Sequence, residues 1–227
     1  MNFKVTYTLR AERVESWIRA VKRDFLDAAQ IKIVGLDCEF TSPREGIEDQ
    51  RAAVLQLSVA DETLVFHIVY ADKVPQALKD FLGDKNIRFC GAAIHNDLKM
   101  LKKHGIKSIP SAMNLQNILR KPDPSKTTPS LIDLANCYIG TDLAQKKKEK
   151  KKKKGEEEEE KKPAKTAKEV EEEEALIHGW GNMPLSFKQL DYAALDARLG
   201  FELGRKHWRA RGYNCAAASD RLKLNIH

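Results

Sequence analysis

The distribution of apolar and polar residues along the chain predicts strands that alternate with helices. Short apolar, β-branched runs predict strands, and apolar residues spaced three and four apart predict helices. The predicted strands span residues 3–9, 33–40, 52–60, 64–70 and 87–93. The predicted helices span residues 11–29, 75–82, 96–104, 129–140 and 186–212. The connections are long enough for helices to cross the sheet, so the predicted fold class is α/β, a mixed five-stranded sheet flanked by helices.

Local sequence signals predict several boundaries of these elements. The polar break at residues 61–63 joins two strands into a hairpin, Pro75 is placed in the first turn of its helix, and Gly105 ends the next helix. The last helix opens with a capping-box pattern, Ser186-x-x-Gln189. Its predicted buried stripe consists of Phe187, Leu190, Ala194, Ala197, Phe201, Gly204 and Trp208.

Length and composition are those of one soluble domain. At 227 residues the chain has room for one α/β domain with a sizeable core. No apolar run approaches the roughly 20 residues that a membrane helix needs, and the first residues do not form a signal peptide. We therefore expect an intracellular protein of the nucleus, the cytoplasm or both, without membrane contact. The chain has no C-x-x-C pair, so its cysteines are expected to be reduced core thiols: Cys38, Cys90, Cys137 and Cys215.

Residues 146–174 differ in kind from the rest of the chain. Eight lysines occupy 146–154, five glutamates follow at 156–160, and four more stand at 171–174. Almost nothing apolar is available for burial, so this insert in a single domain of residues 1–227 is expected to be disordered or at best a transient helix. Its lysines suggest a nuclear import signal or a nucleic-acid tether, and the alternative is a solvated surface loop.

The location of the net charge favours a polyanionic partner. The insert contains 12 Lys and 11 Glu, so it supplies only +1 of the net charge of +7. The basic excess therefore belongs to the rest of the chain, which suits a nucleic acid.

Two acidic residues stand at the end of the second predicted strand. Alternation along a strand places Asp37 and Glu39 on one face and Cys38 on the other. Two acids that share a buried face repel each other and lose hydration unless a cation lies between them. A divalent metal ion is the simplest such cation. The alternative is that both acids extend into the loop that begins at Thr41 and are merely solvated.

Three further polar residues are candidates for the same site. Asp97 stands at the start of the helix that follows the fifth predicted strand, where sites form in α/β sheets. Tyr192 and Asp196 are four residues apart on the last helix and share a face. Each has an ordinary alternative: a helix N-cap for Asp97, an ion pair with Arg198 or Lys188 for Asp196, and a half-buried core position for the tyrosine. Their combination, rather than any one of them, indicates a site.

The order of these residues resembles the DEDD superfamily of 3′–5′ exonucleases, in its tyrosine subclass. The residues that match its motifs, in chain order, are Asp37 and Glu39 for D-x-E, then Asp97, then Tyr192 and Asp196 for Y-x-x-x-D. Within the superfamily the chain is similar to Werner-syndrome-type exonuclease domains and their small stand-alone relatives, over residues 31–208. It departs from them at Ala93, where some members carry asparagine, and in the charged insert.

The resemblance implies a DnaQ-like, ribonuclease-H-like fold and hydrolysis of phosphodiester bonds from the 3′ end of RNA, DNA or both. It also implies two divalent metal ions, Mg²⁺ or Mn²⁺, held by carboxylates. Asp37 would bridge both ions, Glu39 and Asp196 would hold the ion that activates water, and Asp97 would hold the other. Tyr192 would orient the attacking water, because a phenol with a pKa of about 10 is a poor base at neutral pH.

Two expectations concern partners and an alternative function. The expected partner is a nucleic acid, single-stranded or with an accessible 3′ end. Small relatives can form closed rings, so self-association is a further expectation. The alternative function is a non-catalytic nucleic-acid-binding or assembly module on the same fold, which would bind substrate without releasing mononucleotides.

Overall fold

A sheet of six strands lies at the centre of the fold. The computed structural model describes residues 4–42, 50–143 and 166–215. Its strands are β1 (Lys4–Thr8), β2 (Lys32–Phe40), β3 (Ala52–Val59), β4 (Glu62–Phe66), β5 (Ile87–Gly91) and β6 (Ala112–Asn114). Their order across the sheet is β1-β4-β3-β2-β5-β6. Strand β3 is antiparallel to β2 and β4, and the other neighbouring pairs are parallel, so the predicted mixed sheet is confirmed.

Helices cover both faces of this sheet. They are α1 (Ala11–Val21), α2 (Gln76–Gly83), α3 (His95–Leu101), α4 (Leu115–Ile118), α5 (Leu131–Ile139), α6 (Ala167–His178) and α7 (Phe187–Arg209). Strand β3 shows the two layers, because Leu55 and Leu57 join the core that contains Trp17 of α1, whereas Val54 joins a second cluster with Ala194 of α7. Within the described ranges, none of the helices combines the length and apolar character required to cross a membrane.

The sheet has six strands, one more than the five that were predicted. Strand β6 pairs with β5 at the edge of the sheet and has only three residues, all half-buried, so it is too short to show a period of two. Helix α4 has four residues, which is too short for apolar residues to recur at a spacing of three and four. These two elements follow each other directly, and both lie beside the turn that leaves β5.

Several predicted boundaries also move. Helix α1 ends at Val21 and continues as a π-helical turn, Lys22–Leu26. Pro75 is the N-cap residue of α2 and precedes its first turn. The predicted hairpin of β3 and β4 is confirmed. Helix α3 continues as a 3-10 turn, Lys102–His104, which Gly105 ends with a φ of 75°, and the capping box of Ser186 is formed in full, so both signals are confirmed.

Two residues predicted to be buried are exposed. Phe187 is the first residue of α7 and is 87% exposed, because the apolar cluster beneath this helix begins further along, with Leu190 and Ala193. Cys137 lies on the exposed side of α5, whereas the thiols of Cys38, Cys90 and Cys215 are buried; all four are free.

Helix α6 includes the last part of the charged insert. Residues 167–174, for which disorder or at best a transient helix was predicted, lie in this helix. Thr166 and Glu169 form a capping box at its start, and Lys188 of α7 binds Glu172 at 3.0 Å. Leu176 then packs in the cluster beneath α7, so tertiary contacts stabilise a segment whose composition alone favours disorder. The lysine block and the first run of glutamates lie outside the described residues.

Candidate active site

The candidate site forms where the end of β2 meets α7. Asp37 and Glu39 are both within β2 and half-buried, so their alternative placement in a solvated loop is wrong. The register of the ladder places Gln56 of β3 opposite Asp37, and Val54 opposite Glu39. This register shifts between Glu39 and Phe40, so the strand becomes irregular directly after the two acids.

Gly35 allows α7 to approach β2 closely. A Cβ atom on Gly35 would lie 1.9 Å from the carbonyl oxygen of Ala197, so only glycine fits here. Gly35 is two residues before Asp37 and shares its face of the strand. Helix α7 therefore covers the face that carries both acids of β2, and it brings in Asp196, the residue before Ala197.

Three carboxylates converge as a result. One oxygen each of Asp37, Glu39 and Asp196 lies within 4.8 Å of the other two. The strand supplies two of these side chains and the helix supplies the third. The structure thus brings together three of the five residues that the sequence predicted for one site.

The ion-pair alternative for Asp196 is not favoured by the contacts of the two proposed partners. Nζ of Lys188 lies 3.0 Å from Oε2 of Glu172. Nη2 of Arg198 lies 2.6 Å from Oε1 of Glu202, one turn further along α7.

Asp97 is a fourth acid that faces the cluster from α3. It lies in the first turn of this helix and is only 4% exposed, and the N-cap residue is Ile94, so the N-cap alternative is wrong. Burial raises the pKa of Asp97 to about 8. Asp97 stands outside the group of three oxygens, although its charge still acts on Asp37.

The electrostatic environment of Asp37 opposes a negative charge. Burial raises its pKa well above the ordinary value, and the charges of Asp97, Asp196 and Glu39 raise it further. A cation bound among these carboxylates would reverse both effects, because it compensates the burial and screens the mutual repulsion.

Tyr192 completes the group from α7. Its side chain is hydrogen-bonded to Asp196, and burial raises its pKa far above the ordinary value, with further contributions from the charges of Asp196 and Glu39. The phenol therefore stays protonated and acts as a donor. The ring of Trp180 packs against the ring of Tyr192, with 6.0 Å between the centroids and an interplanar angle of 44°.

His67 and Tyr7 connect the turn that carries Trp180 to the sheet. The sequence patterns indicated neither residue. Nε2 of His67 lies 3.1 Å from the Trp180 carbonyl oxygen, which can only accept, so this nitrogen carries the proton. Nδ1 of His67 then accepts from the Tyr7 hydroxyl at 2.9 Å. Burial lowers the pKa of His67 and favours this neutral form. No spacing in the sequence connects these residues, because Tyr7 belongs to β1, His67 directly follows β4, and Trp180 lies in the segment before α7.

The turn between β5 and α3 has an unusual backbone at Ala93. Its φ is 52°, in the left-handed region, and its amide donates to Oδ1 of Asn114 at 3.2 Å and to Oε1 of Gln116 at 3.1 Å. The two elements that periodicity missed, β6 and α4, thus supply the side chains that hold the turn before Asp97.

The donor set fits a divalent metal centre. The four acids provide hard oxygen ligands, three of which already converge, and such ligands suit Mg²⁺ or Mn²⁺. The repulsion that raises the pKa of Asp37 is of the kind that a bound cation relieves.

Comparison with known proteins identifies the family. A family model described as 3′–5′ exonuclease matches residues 19–209. The mouse (Mus musculus) bifunctional 3′-5′ exonuclease/ATP-dependent helicase WRN is 26% identical over 176 residues, which cover 77% of this chain and 11% of the mouse protein. The chain thus spans a small part of that relative.

Solved structures share the fold at low sequence identity. The Nibbler EXO domain of Aedes aegypti has a TM-score of 0.64 at 14% identity, and the match covers 94% of each chain. RNase D of Escherichia coli, an exoribonuclease involved in structured RNA processing, has a TM-score of 0.62 at 16% identity, over 93% of this chain and 46% of that one. The helix-flanked mixed sheet is therefore a ribonuclease-H-like exonuclease fold, and the chain belongs to the 3′–5′ exonuclease family.

Proposed function

We propose that the chain is a metal-dependent 3′–5′ exonuclease that hydrolyses phosphodiester bonds from the 3′ end of RNA, DNA or both. The observation that carries the proposal is the convergence of Asp37, Glu39 and Asp196, each with an oxygen within 4.8 Å of the others. The buried carboxyl of Asp97 and the hydrogen bond between Tyr192 and Asp196 support it. Membership of the exonuclease family supports the reaction class.

Two divalent ions, Mg²⁺ or Mn²⁺, would be held by Asp37, Glu39, Asp97 and Asp196. When bound, such ions lower the pKa of water and neutralise charge on the phosphate and the leaving oxygen. The contribution of the chain is to place these carboxylates on regular elements: Asp37 and Glu39 on β2, Asp196 on α7 and Asp97 on α3. Strand β2 and helix α7 are locked together at Gly35, so the relative positions of the acids do not depend on a loop.

Tyr192 would orient the attacking water without accepting its proton. Its pKa lies far above neutrality, so the phenol can only donate or accept a hydrogen bond in its protonated form. Trp180 beneath the ring and Asp196 at the hydroxyl fix the direction of this group.

The substrate class and the domain organisation follow the same proposal. A free 3′ end of a nucleic acid suits a chain with a net charge of +7. We propose that residues 1–227 are a single exonuclease domain that contains residues 146–174 as an insert, since the family match at residues 19–209 continues on both sides of this segment. Self-association and a nuclear or cytoplasmic location stay predictions.

The test uses the purified chain of 227 residues and 5′-labelled oligonucleotides. We expect stepwise shortening from the 3′ end with Mg²⁺ or Mn²⁺, and none with EDTA. The assay compares three substrates: single-stranded RNA, single-stranded DNA and a duplex with a recessed 3′ end. Asp37→Ala should abolish shortening, whereas Asp24→Ala, which removes an exposed acid of the π-helical turn, should leave it unchanged.

Intact substrate with wild-type protein across both metals and all three substrates would contradict the proposal. If the protein then still binds the oligonucleotides, the function is that of a non-catalytic nucleic-acid-binding module on this fold.

A further inference from the structure

One side chain beside the carboxylate cluster has no role in the proposed function so far. Gln56 lies in the middle of β3 and is fully buried. Neither its amide nitrogen nor its amide oxygen has a hydrogen-bond partner among the residues that the structure describes. Buried amides are nearly always hydrogen-bonded, because an unpaired one forfeits its interactions with water. An amide at this position therefore requires an explanation.

The register of the sheet places this amide beside Asp37. Gln56 is the direct cross-strand partner of Asp37, so both side chains lie on the face that α7 covers. The Cβ atoms of such pairs are about 5 Å apart, within reach of a side chain as long as glutamine. On its other side Gln56 pairs with Val65, which belongs to the apolar cluster beneath α7. Among these cross-strand neighbours, Asp37 is the polar one.

The other polar side chain on this face of β3, that of Ser58, has a hydrogen-bond partner. Ser58 lies two residues further along, and its hydroxyl is 2.9 Å from the Thr63 hydroxyl of β4. Val54, two residues in the other direction, is apolar and opposes Glu39. The unpaired amide thus occurs opposite Asp37 and not at the flanking positions of this face.

Packing alone does not account for glutamine at this position. An apolar side chain of similar volume, such as methionine, would fill the space without burying unpaired polar atoms. A lysine or arginine would pair with Asp37, but its positive charge would oppose the binding of a metal ion. A neutral amide can hydrogen-bond a carboxylate and leave its charge available to a cation.

We infer that Gln56 is a positioning residue: its amide, which has no partner among the described residues, donates an N–H to the carboxylate of Asp37 when this carboxylate binds metal, and so fixes its orientation toward the ions. The inference rests on the proposed function, because it assigns Asp37 as a metal ligand. Carboxylates that bind metals are commonly held by hydrogen bonds from surrounding residues, and loss of such a partner typically costs 10–100-fold in metal affinity or activity. The amide acts through Asp37 and does not touch the substrate.

The test compares Gln56→Met with the wild-type chain of 227 residues. Three quantities are measured: the melting temperature without metal, the dissociation constant of Mn²⁺ by isothermal titration calorimetry, and kcat and KM on a single-stranded oligonucleotide. We expect an unchanged or higher melting temperature, because the variant removes an unpaired buried amide. Mn²⁺ affinity, kcat or both should fall about 10–100-fold, with KM nearly unchanged.

Ser58→Ala is the matched control. It removes a hydroxyl from the same face that is already hydrogen-bonded within the sheet, so it should lower the melting temperature and leave Mn²⁺ affinity and kcat unchanged. If Gln56→Met does not fold, Gln56→Asn gives the same comparison, because it keeps the amide but shortens its reach toward Asp37.

The outcomes separate this inference from the proposed function. A folded Gln56→Met protein with a lower melting temperature and wild-type Mn²⁺ affinity and kcat would show that Gln56 only packs. Wild-type protein that binds Mn²⁺ but cleaves nothing would contradict the exonuclease activity, while the difference in Mn²⁺ affinity would still decide the role of Gln56. Wild-type protein that neither binds Mn²⁺ nor cleaves would overturn both.

Discussion

Gly35 of β2 lies against the backbone of Ala197 in α7, so close that a methyl group on Gly35 would stand 1.9 Å from the Ala197 carbonyl oxygen. This contact sets the distance between the strand that carries Asp37 and the helix that carries Asp196. Helix α7 also packs along β3, β4 and β5, so it cannot move locally to make room. The spacing of the carboxylate cluster therefore depends on the absence of a side chain at residue 35.

Gly35→Ala should destabilise the protein by about 3 kcal/mol, because overpacking here forces two backbones apart. It should also lower Mn²⁺ affinity, since Asp196 moves away from Asp37. Urea unfolding and Mn²⁺ titration measure the two effects. Gly83→Ala is the control, since a methyl group at the end of α2 meets no atom within 4 Å and should change stability by no more than about 1 kcal/mol. Equal effects of the two variants would contradict the close-contact explanation.

Tyr192→Phe should lower kcat by about 100-fold, because the water loses the group that orients it. Folding and Mn²⁺ affinity should be retained, since the ring still packs on Trp180. The pH dependence of kcat in wild type should show no step that belongs to Tyr192 up to pH 10, because its pKa is raised far above the ordinary value. The opposite result would be a wild-type activity that falls when a group with a pKa near 10 is protonated, and a Tyr192→Phe profile without this step. It would identify the tyrosine as a base.

Asp97→Asn should stabilise the metal-free protein at high pH and have little effect at low pH. Burial raises the pKa of Asp97 from 3.8 to about 8, so between these values the native state retains a proton that the unfolded state has released. Stability contributed by this group is fully present below pH 4 and is lost as the pH rises toward 8. Asparagine mimics the protonated side chain at every pH.

Melting temperatures in EDTA at pH 5, 6.5 and 8 test this expectation. The difference between Asp97→Asn and wild type should grow with pH, and saturating Mn²⁺ should reverse its sign because the variant lacks a metal ligand. A difference that stays constant across this pH range would show that the carboxyl is not held in its protonated form.

Glu202→Ala should cost about 3–5 kcal/mol, because it leaves two guanidinium groups in a buried site without their shared carboxylate. Nη2 of Arg198 lies 2.6 Å from Oε1 of Glu202, and Nη2 of Arg205 lies 2.8 Å from Oε2 of the same carboxylate. The side chain of Arg198 is fully buried. Asp24→Ala removes the acid of an exposed pair with Arg23 and should change the free energy of unfolding far less, because solvent screens this pair. Urea unfolding measures the free energy of unfolding of both variants. Similar decreases would mean that burial does not determine how much each ion pair contributes to stability.

Ala93→Gly should stabilise the protein by about 0.5–1 kcal/mol, because glycine adopts the left-handed backbone of this turn without the steric cost that an L-residue bears. Ala92→Gly, at a position outside the left-handed region, should instead be neutral or destabilising. Thermal unfolding gives the comparison. Destabilisation by both variants would indicate that the alanine methyl group at position 93 makes contacts that outweigh the strain.

Much of the fold and the candidate site follows from local signals in the sequence. Alternation placed Asp37 and Glu39 on one face of β2, and the capping box of Ser186 located the start of the helix that carries Tyr192 and Asp196. These signals are local because they depend on the geometry of a single strand or a single helix turn. The convergence of the acids was expected from their order, and the structure brings three of them within 4.8 Å.

What the sequence analysis missed depends on contacts between distant segments. The tight approach of Gly35 to α7, the bond between His67 and Trp180, and the pairing of Gln56 with Asp37 each join residues that no periodicity relates. Composition alone could not show that residues 167–174 lie in helix α6, because this helix also depends on the packing of Leu176 against the cluster beneath α7. Periodicity alone also could not show that the first turn of α7 leaves Phe187 exposed.

The division of the carboxylate cluster between β2 and α7 has a consequence for protein synthesis. A ribosome makes β2 before α7, so the two acids of the strand have no helical partner until α7 has emerged. Contacts between such distant segments require the closure of a long loop, which slows their formation. A nascent chain beside its own messenger RNA would therefore lack the proposed nuclease activity, and the activity would begin only when the last helix docks.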